Sequence, residues 1–185
     1  MKYTIYISGA ILLCIGAYHR LQAARSGESI DRRHEGWPIL IGIRLSALCA
    51  VIATVRAFRA DAPPWSPPLQ WAATGLFVLS CGWLTWMFLS LGRNLTDTVV
   101  TRRDSVFVCH GPYKYVRNPM YIGILVAGTS LAAVAGSWLG ALFYVLTFSL
   151  LAIRTKTEER FLLARFGDTY KRYMSEVGRF WPDIV

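Results

Sequence analysis

The chain alternates between long apolar runs and short stretches in which its charges collect. Four runs stand out, at residues 3–19, 37–58, 69–91 and 119–153. About 20 helical residues cross the hydrocarbon core of a bilayer, so each of the first three runs predicts one membrane helix. The fourth is too long for a single crossing without extreme tilt. Its natural break is "AVAGSW" at residues 133–138, which predicts a tight helical hairpin and about five membrane helices in all. Each hairpin arm is short, so a re-entrant pair is the alternative. The predicted fold class is all-α, a multi-pass transmembrane helical bundle in one domain. Residues 1–91 carry three helices, 92–118 a loop, 119–155 the hairpin and 156–185 an amphipathic tail.

The polar positions orient the bundle. With the N-terminus outside, the inner segments hold Arg20, Arg25, Arg32 and Arg33, then Arg93, Arg102, Arg103, Lys114 and Arg117, then seven more from Arg154 to Arg179. Only Lys2, Arg56 and Arg59 fall outside. Basic residues concentrate in cytoplasmic loops, so the loop 92–118 and the tail are expected at the cytoplasmic face. "NLT" at Asn94 fits a glycosylation acceptor but lies inside in this topology. Lys2 and the run behind it imitate a signal peptide without a convincing cleavage site, so the first helix is expected to be retained. Arg44 sits about two turns inside the second run. The favoured reading is a snorkelling side chain, and the other is a cation facing a polar cavity.

Composition then removes whole classes. At 54 % hydrophobic residues with seven tryptophans, the chain is too apolar for a soluble domain of its size. A net charge of +9 would suit nucleic acid on a solvated face, but these charges fill gaps between apolar runs. The expected partner is therefore the lipid bilayer, with no nucleic acid. Cys14, Cys49, Cys81 and Cys109 form no CxxC pair, so no metal site and no disulfide framework are expected. Gly128, Ala132, Gly136 and Gly140 recur every fourth residue, a small-residue stripe suited to close helix packing. "PPWSPPL" at residues 63–69 predicts an extended linker.

Two constellations carry possible chemistry. After the third run comes "SVFVCHGPYKYVRNPMY", in which "SVFV" predicts a short extended piece and Gly111-Pro112 a turn. Pro119 suits the first turn of a helix. Tyr113, Tyr115 and Tyr121 fit either an interfacial aromatic belt or the lining of a site. The second constellation is "RTKTEERFLLARFGDTY", where Arg154 and Glu158 share a helix face and Glu159 lies beside them. Alone, that spacing reads as a solvated ion pair of a few tenths of a kcal/mol. Both constellations, however, flank one hairpin, whose ends must meet. Arg154, taken as the end of the last membrane helix, and Glu158 are therefore expected near Tyr113, Asn118 and Tyr121. Phe166-Gly167 predicts a helix end, with Asp168 capping another helix. Tyr170, Tyr173, Met174 and Val177 would share one face of it, on the bilayer or over the site.

Together, "GPYKYVRNPMYIG" and "RTKTEERFLLARFGDTYKRYMSEVGRFWP" resemble the isoprenylcysteine carboxyl methyltransferases and their phospholipid methyltransferase relatives. The resemblance covers roughly the C-terminal half and is specific to the superfamily rather than to one substrate. It implies a multi-pass membrane enzyme that uses S-adenosyl-L-methionine. Carried onto this chain, it makes Val106, Phe107 and Val108 a cofactor wall and adds Tyr113, Asn118, Pro119 and Tyr121 to the cofactor site. Glu158 would hold a polar group of the cofactor and act catalytically, and Arg154 would face the methyl acceptor. The family usually has Arg-His-Pro-x-Tyr where this chain has Asn118. Asparagine keeps a donor and an acceptor but cannot titrate.

The implied acceptor is a lipophilic small molecule or a prenylated group ending in a carboxylate, which is ionised at neutral pH and needs no base. A phospholipid or other lipid amine is the alternative, and it would need Glu158 or Glu159 as base. Outside this class stand an NADPH-dependent sterol-type reductase and a non-catalytic membrane scaffold.

Overall fold

The computed structural model describes residues 37–60, 65–91 and 108–182, with helical residues at 10, 14, 16–18 and 21. The first predicted span lies mostly outside these residues, as do Val106 and Phe107 of the predicted extended piece. Four helices follow in order. These are α1 (Trp37–Arg59), α2 (Pro67–Leu91), α3 (Pro119–Val134) and α4 (Trp138–Glu176), with a 3-10 turn (Gly111–Lys114) ahead of α3. Helices α1, α2 and α4 are each long and apolar enough to cross a membrane. The chain is an integral membrane protein of all-α class.

Helix α1 ends on Arg56 and Arg59, cations that suit the negative end of its dipole. Helix α2 begins at Pro67, so the predicted linker ends three residues sooner than "PPWSPPL" suggests. Prolines are tolerated there because N–H groups of a first turn have no helical partner anyway. Ser66 starts the turn by accepting at its carbonyl from the N–H of Leu69 and Gln70.

The long fourth run breaks where its sequence predicts. Gly136 takes φ 71°, a left-handed conformation that glycine adopts without steric cost. Ser137 then caps α4, its hydroxyl accepting from the Gly140 N–H at 3.1 Å. The arms 119–134 and 138–153 are each about 24 Å long, short of a full hydrocarbon thickness. Helix α4 does not stop at Arg154. It runs on as one rod to Gly167, where φ 54° and ψ −130° kink it. No atom lies within 4 Å of where a Cβ at Gly167 would sit, so conformation rather than crowding calls for glycine.

The hairpin α3/α4 is the centre of the bundle, with α2 packed on α3 and α1 packed on α4. The small-residue stripe is divided by the turn. Gly128 lies under the Tyr144 ring, Ala132 is fully buried, Gly136 makes the turn and Gly140 meets Thr54 of α1. On the other flank Ala73, Phe77 and Cys81 of α2 pack with Val134. Arg44 is exposed on the outer face of α1, which fits the snorkelling reading. Beyond the kink Tyr170, Tyr173 and Val177 form a small core with Leu162, Phe166 and Met174, the shared face expected of this segment.

Candidate active site

The two ends of the hairpin meet at one side chain. Tyr121, in the first turn of α3, places its phenol oxygen 2.7 Å from both carboxylate oxygens of Glu158 on α4. Its single proton is shared between them. Arg154, one turn earlier on α4, sets its Nε 3.3 Å from Glu158 Oε1. The Arg154 and Glu158 side chains are only 14 % and 20 % exposed. The solvated ion pair is therefore not what forms, and the pair is sheltered with a phenol as its third member. Charge-assisted bonds of this kind hold an ionised carboxylate in place.

Tyr113 comes from the 3-10 turn. Burial pushes its phenol well above the ordinary tyrosine range, and the nearby charge of Glu158 pushes it further. It stays protonated as a donor and an aromatic wall. Its backbone carbonyl accepts from the Tyr173 hydroxyl at 2.6 Å. Tyr115, by contrast, is 50 % exposed and tilts against Trp86, which meets Trp83 edge-on. The belt and lining readings thus divide by residue. Tyr115 belongs with the outer aromatics, while Tyr113 and Tyr121 turn in toward Glu158.

The remaining predicted residues are placed as follows. Pro119 is buried, and its carbonyl accepts from Trp83 Nε1 at 2.9 Å, which ties α2 to the start of α3. Asn118 turns toward the tail, its amide donating to the Arg179 carbonyl at 3.3 Å. Val108 is half-buried, and Val106 and Phe107 lie outside the described residues.

Sequence reasoning passes over a second cluster. Glu159, 5 % exposed, accepts from Arg117 Nε at 3.0 Å and from Arg179 Nε and Nη2 at 3.1 and 2.5 Å. Arg117 Nη1 also donates to the carbonyls of Met174 and Val177. One signal was available. Adjacent helical residues point about 100° apart, so Glu158 and Glu159 cannot serve one partner.

Residues 69–169, more than half of the chain, match the family described as phospholipid methyltransferase. The protein-S-isoprenylcysteine O-methyltransferase of Schizosaccharomyces pombe is 28 % identical over 111 residues, 58 % of this chain and 47 % of that protein. Its counterpart in Dictyostelium discoideum is 32 % identical over 96 residues, covering 50 % and 40 %. The methanethiol S-methyltransferase of Pseudomonas deceptionensis is 37 % identical over 73 residues, covering 39 % and 27 %. The chain thus matches less than half the length of each of these relatives. Among solved structures, the eukaryotic intramembrane Ras methyltransferase, isoprenylcysteine carboxyl methyltransferase, matches with a TM-score of 0.58. That match covers 83 % of this chain and 55 % of the other at 23 % identity, which shows a common fold. The family match takes in α2, the hairpin and the Tyr121–Glu158–Arg154 junction, and this chain belongs to the phospholipid methyltransferase family.

Proposed function

We propose that this protein transfers a methyl group from S-adenosyl-L-methionine to a lipophilic acceptor at the cytoplasmic face of a membrane. The observation that carries the reading is the junction at which Tyr121, Glu158 and Arg154 meet across the hairpin. Family membership and relatives named as methyltransferases support the reaction class.

The residues present fit that cofactor. Glu158 offers acceptor oxygens, and Tyr113 and Tyr121 offer aromatic rings, a set suited to a cation that also carries hydroxyl and amino groups. Pro119 and the backbone of Val106, Phe107 and Val108 would complete the wall. Asn118 would border the site at the start of α3. When bound, the cofactor supplies an electrophilic methyl group on a sulfonium. What the chain supplies is alignment, since in-line displacement depends on holding the reacting atoms in register. Tyr121 and Arg154 hold the Glu158 carboxylate from two sides, so its oxygens are oriented before any ligand arrives. Arg154 stands beside Glu158, and a guanidinium at this position suits a carboxylate acceptor.

A carboxylate acceptor needs no base, which agrees with the commitment of Glu159 to two arginines. A thiol acceptor is the second reading, favoured by the methanethiol S-methyltransferases among the relatives. The cytoplasmic orientation is supported by the concentration of basic residues in the sequence segments that flank the hairpin.

The test is label transfer from methyl-labelled S-adenosylmethionine in proteoliposomes. A prenylated cysteine carboxylate, methanethiol and phosphatidylethanolamine would be offered separately. Base-labile label on the prenylated cysteine is the expected result. Volatile label from methanethiol alone would move the acceptor to a thiol, and no transfer to any of the three would contradict the proposal.

A further inference from the structure

Glu159 is a buried carboxylate that the proposed chemistry does not use, yet it is bound more completely than Glu158. It holds Arg179 side-on through two bonds and Arg117 through a third. Arg117 passes the restraint on. Its Nη1 reaches the Met174 and Val177 carbonyls at 2.8 and 2.5 Å, at the end of α4 where carbonyls lack helical partners. Its own N–H donates to the Gly178 carbonyl at 2.9 Å, and the Asn118 N–H donates to the Arg179 carbonyl at 3.2 Å. Residues 177–179 therefore lie alongside 116–118, with Val116 and Gly178 forming a parallel bridge.

We infer that Glu159, Arg117 and Arg179 are positioning residues for the proposed cofactor site, and that the tail through Arg179 is a working part of it. The inference rests on the functional reading above. The clasp holds the start of α3 from outside, and Tyr121 stands three residues after Asn118. The same tail holds the 3-10 turn, because the Tyr173 hydroxyl bonds the Tyr113 carbonyl at 2.6 Å. Both tyrosines that turn toward Glu158 thus stand on backbone that the tail holds, Tyr113 at its own carbonyl and Tyr121 three residues after Asn118. Neighbouring carboxylates divide the work, Glu158 facing the site and Glu159 fixing the frame around it. A site assembled before binding spares its ligand the cost of ordering these groups.

Arg179 is the place to test this, because its side chain is 36 % exposed and its loss leaves the backbone contacts in place. Purified Arg179→Ala, Arg179→Lys and Arg172→Ala would be titrated calorimetrically with S-adenosylhomocysteine, with melting followed in the same detergent. Arg172 is exposed on the tail and serves as the control. Arg179→Ala is expected to weaken binding about tenfold, the size typical of coupling within one network. Arg179→Lys should recover part of that loss, and Arg172→Ala should bind within about twofold of wild type. A purely structural role would lower the melting temperature and leave the affinity of the folded protein unchanged, which would overturn the inference. If Arg179→Ala does not fold, Arg179→Lys against wild type decides in the same way. Wild-type protein that binds no S-adenosylhomocysteine would overturn the functional reading and this inference with it, whereas normal binding by every Arg179 variant would overturn this inference alone.

Discussion

The middle of the bundle and its charged end are held together by different chemistry. In the middle, α1 lays Ser46, Ala50 and Thr54 against α4. The Thr147 and Ser46 hydroxyls lie 2.9 Å apart, and Gly128 lets the Tyr144 ring sit on the α3 backbone. At the charged end, three arginines and two glutamates form two neighbouring groups, Arg154 with Glu158 and Arg117 and Arg179 with Glu159. The contrast follows from the solvent. Lipid provides no hydrophobic drive between helices, so close approach and small hydroxyls hold the crossing segments. Buried charges need partners, and they are far cheaper at the membrane surface than at its centre. The candidate site belongs to the charged end because its proposed ligand is itself charged.

Three substitutions probe this contrast, in falling order of effect. Glu159→Ala leaves Arg117, only 9 % exposed, and Arg179 without their counter-ion. Breaking a buried pair this way costs about 3–5 kcal/mol, seen as a large drop in melting temperature followed by tryptophan fluorescence. Melting near the wild-type value would mean that the apolar face of Tyr170, Tyr173 and Val177 holds the tail unaided. Gly128→Ala puts a methyl group into the Tyr144 ring, an overpacking cost of about 1–3 kcal/mol. Gly82→Ala is its control, since nothing lies within 4 Å of a Cβ there. Equal melting of the two variants would remove Gly128 from the account of the seam. Ser46→Ala deletes one side of the hydroxyl pair with Thr147 and is expected to cost about 0.6 kcal/mol, the smallest of the three. A loss as large as that from Glu159→Ala would erase the distinction between the two regions.

What could be read from the sequence was what depends on neighbours along the chain. The break at Gly136, the kink at Gly167, the tyrosine face of the tail and the Arg154–Glu158 spacing all follow from local pattern. Tyr121 meeting Glu158 required one further step, that a hairpin closes its ends. The Arg117–Glu159–Arg179 clasp stayed hidden because it joins residues up to 62 positions apart through a tail that folds back after the kink. Pro67 and Pro68 misled for a physical reason, since prolines of a first helical turn look the same as prolines of a linker. The small-residue stripe was legible as close packing at Gly128, Ala132 and Gly140, while its four-residue period runs on through the turn at Gly136.

In the proposed function Glu158, held by Tyr121 and Arg154, binds S-adenosylmethionine. The most direct measurement is calorimetric titration of detergent-purified wild type and Glu158→Gln with S-adenosylhomocysteine, with NADPH as the control ligand. Wild type is expected to bind S-adenosylhomocysteine saturably and NADPH not at all, and Glu158→Gln to bind weaker by about tenfold or more, as for a lost hydrogen bond to a charged group. Equal binding by folded Glu158→Gln and wild type would contradict the assignment of Glu158, and NADPH binding in place of S-adenosylhomocysteine would contradict the methyl-transfer reading itself.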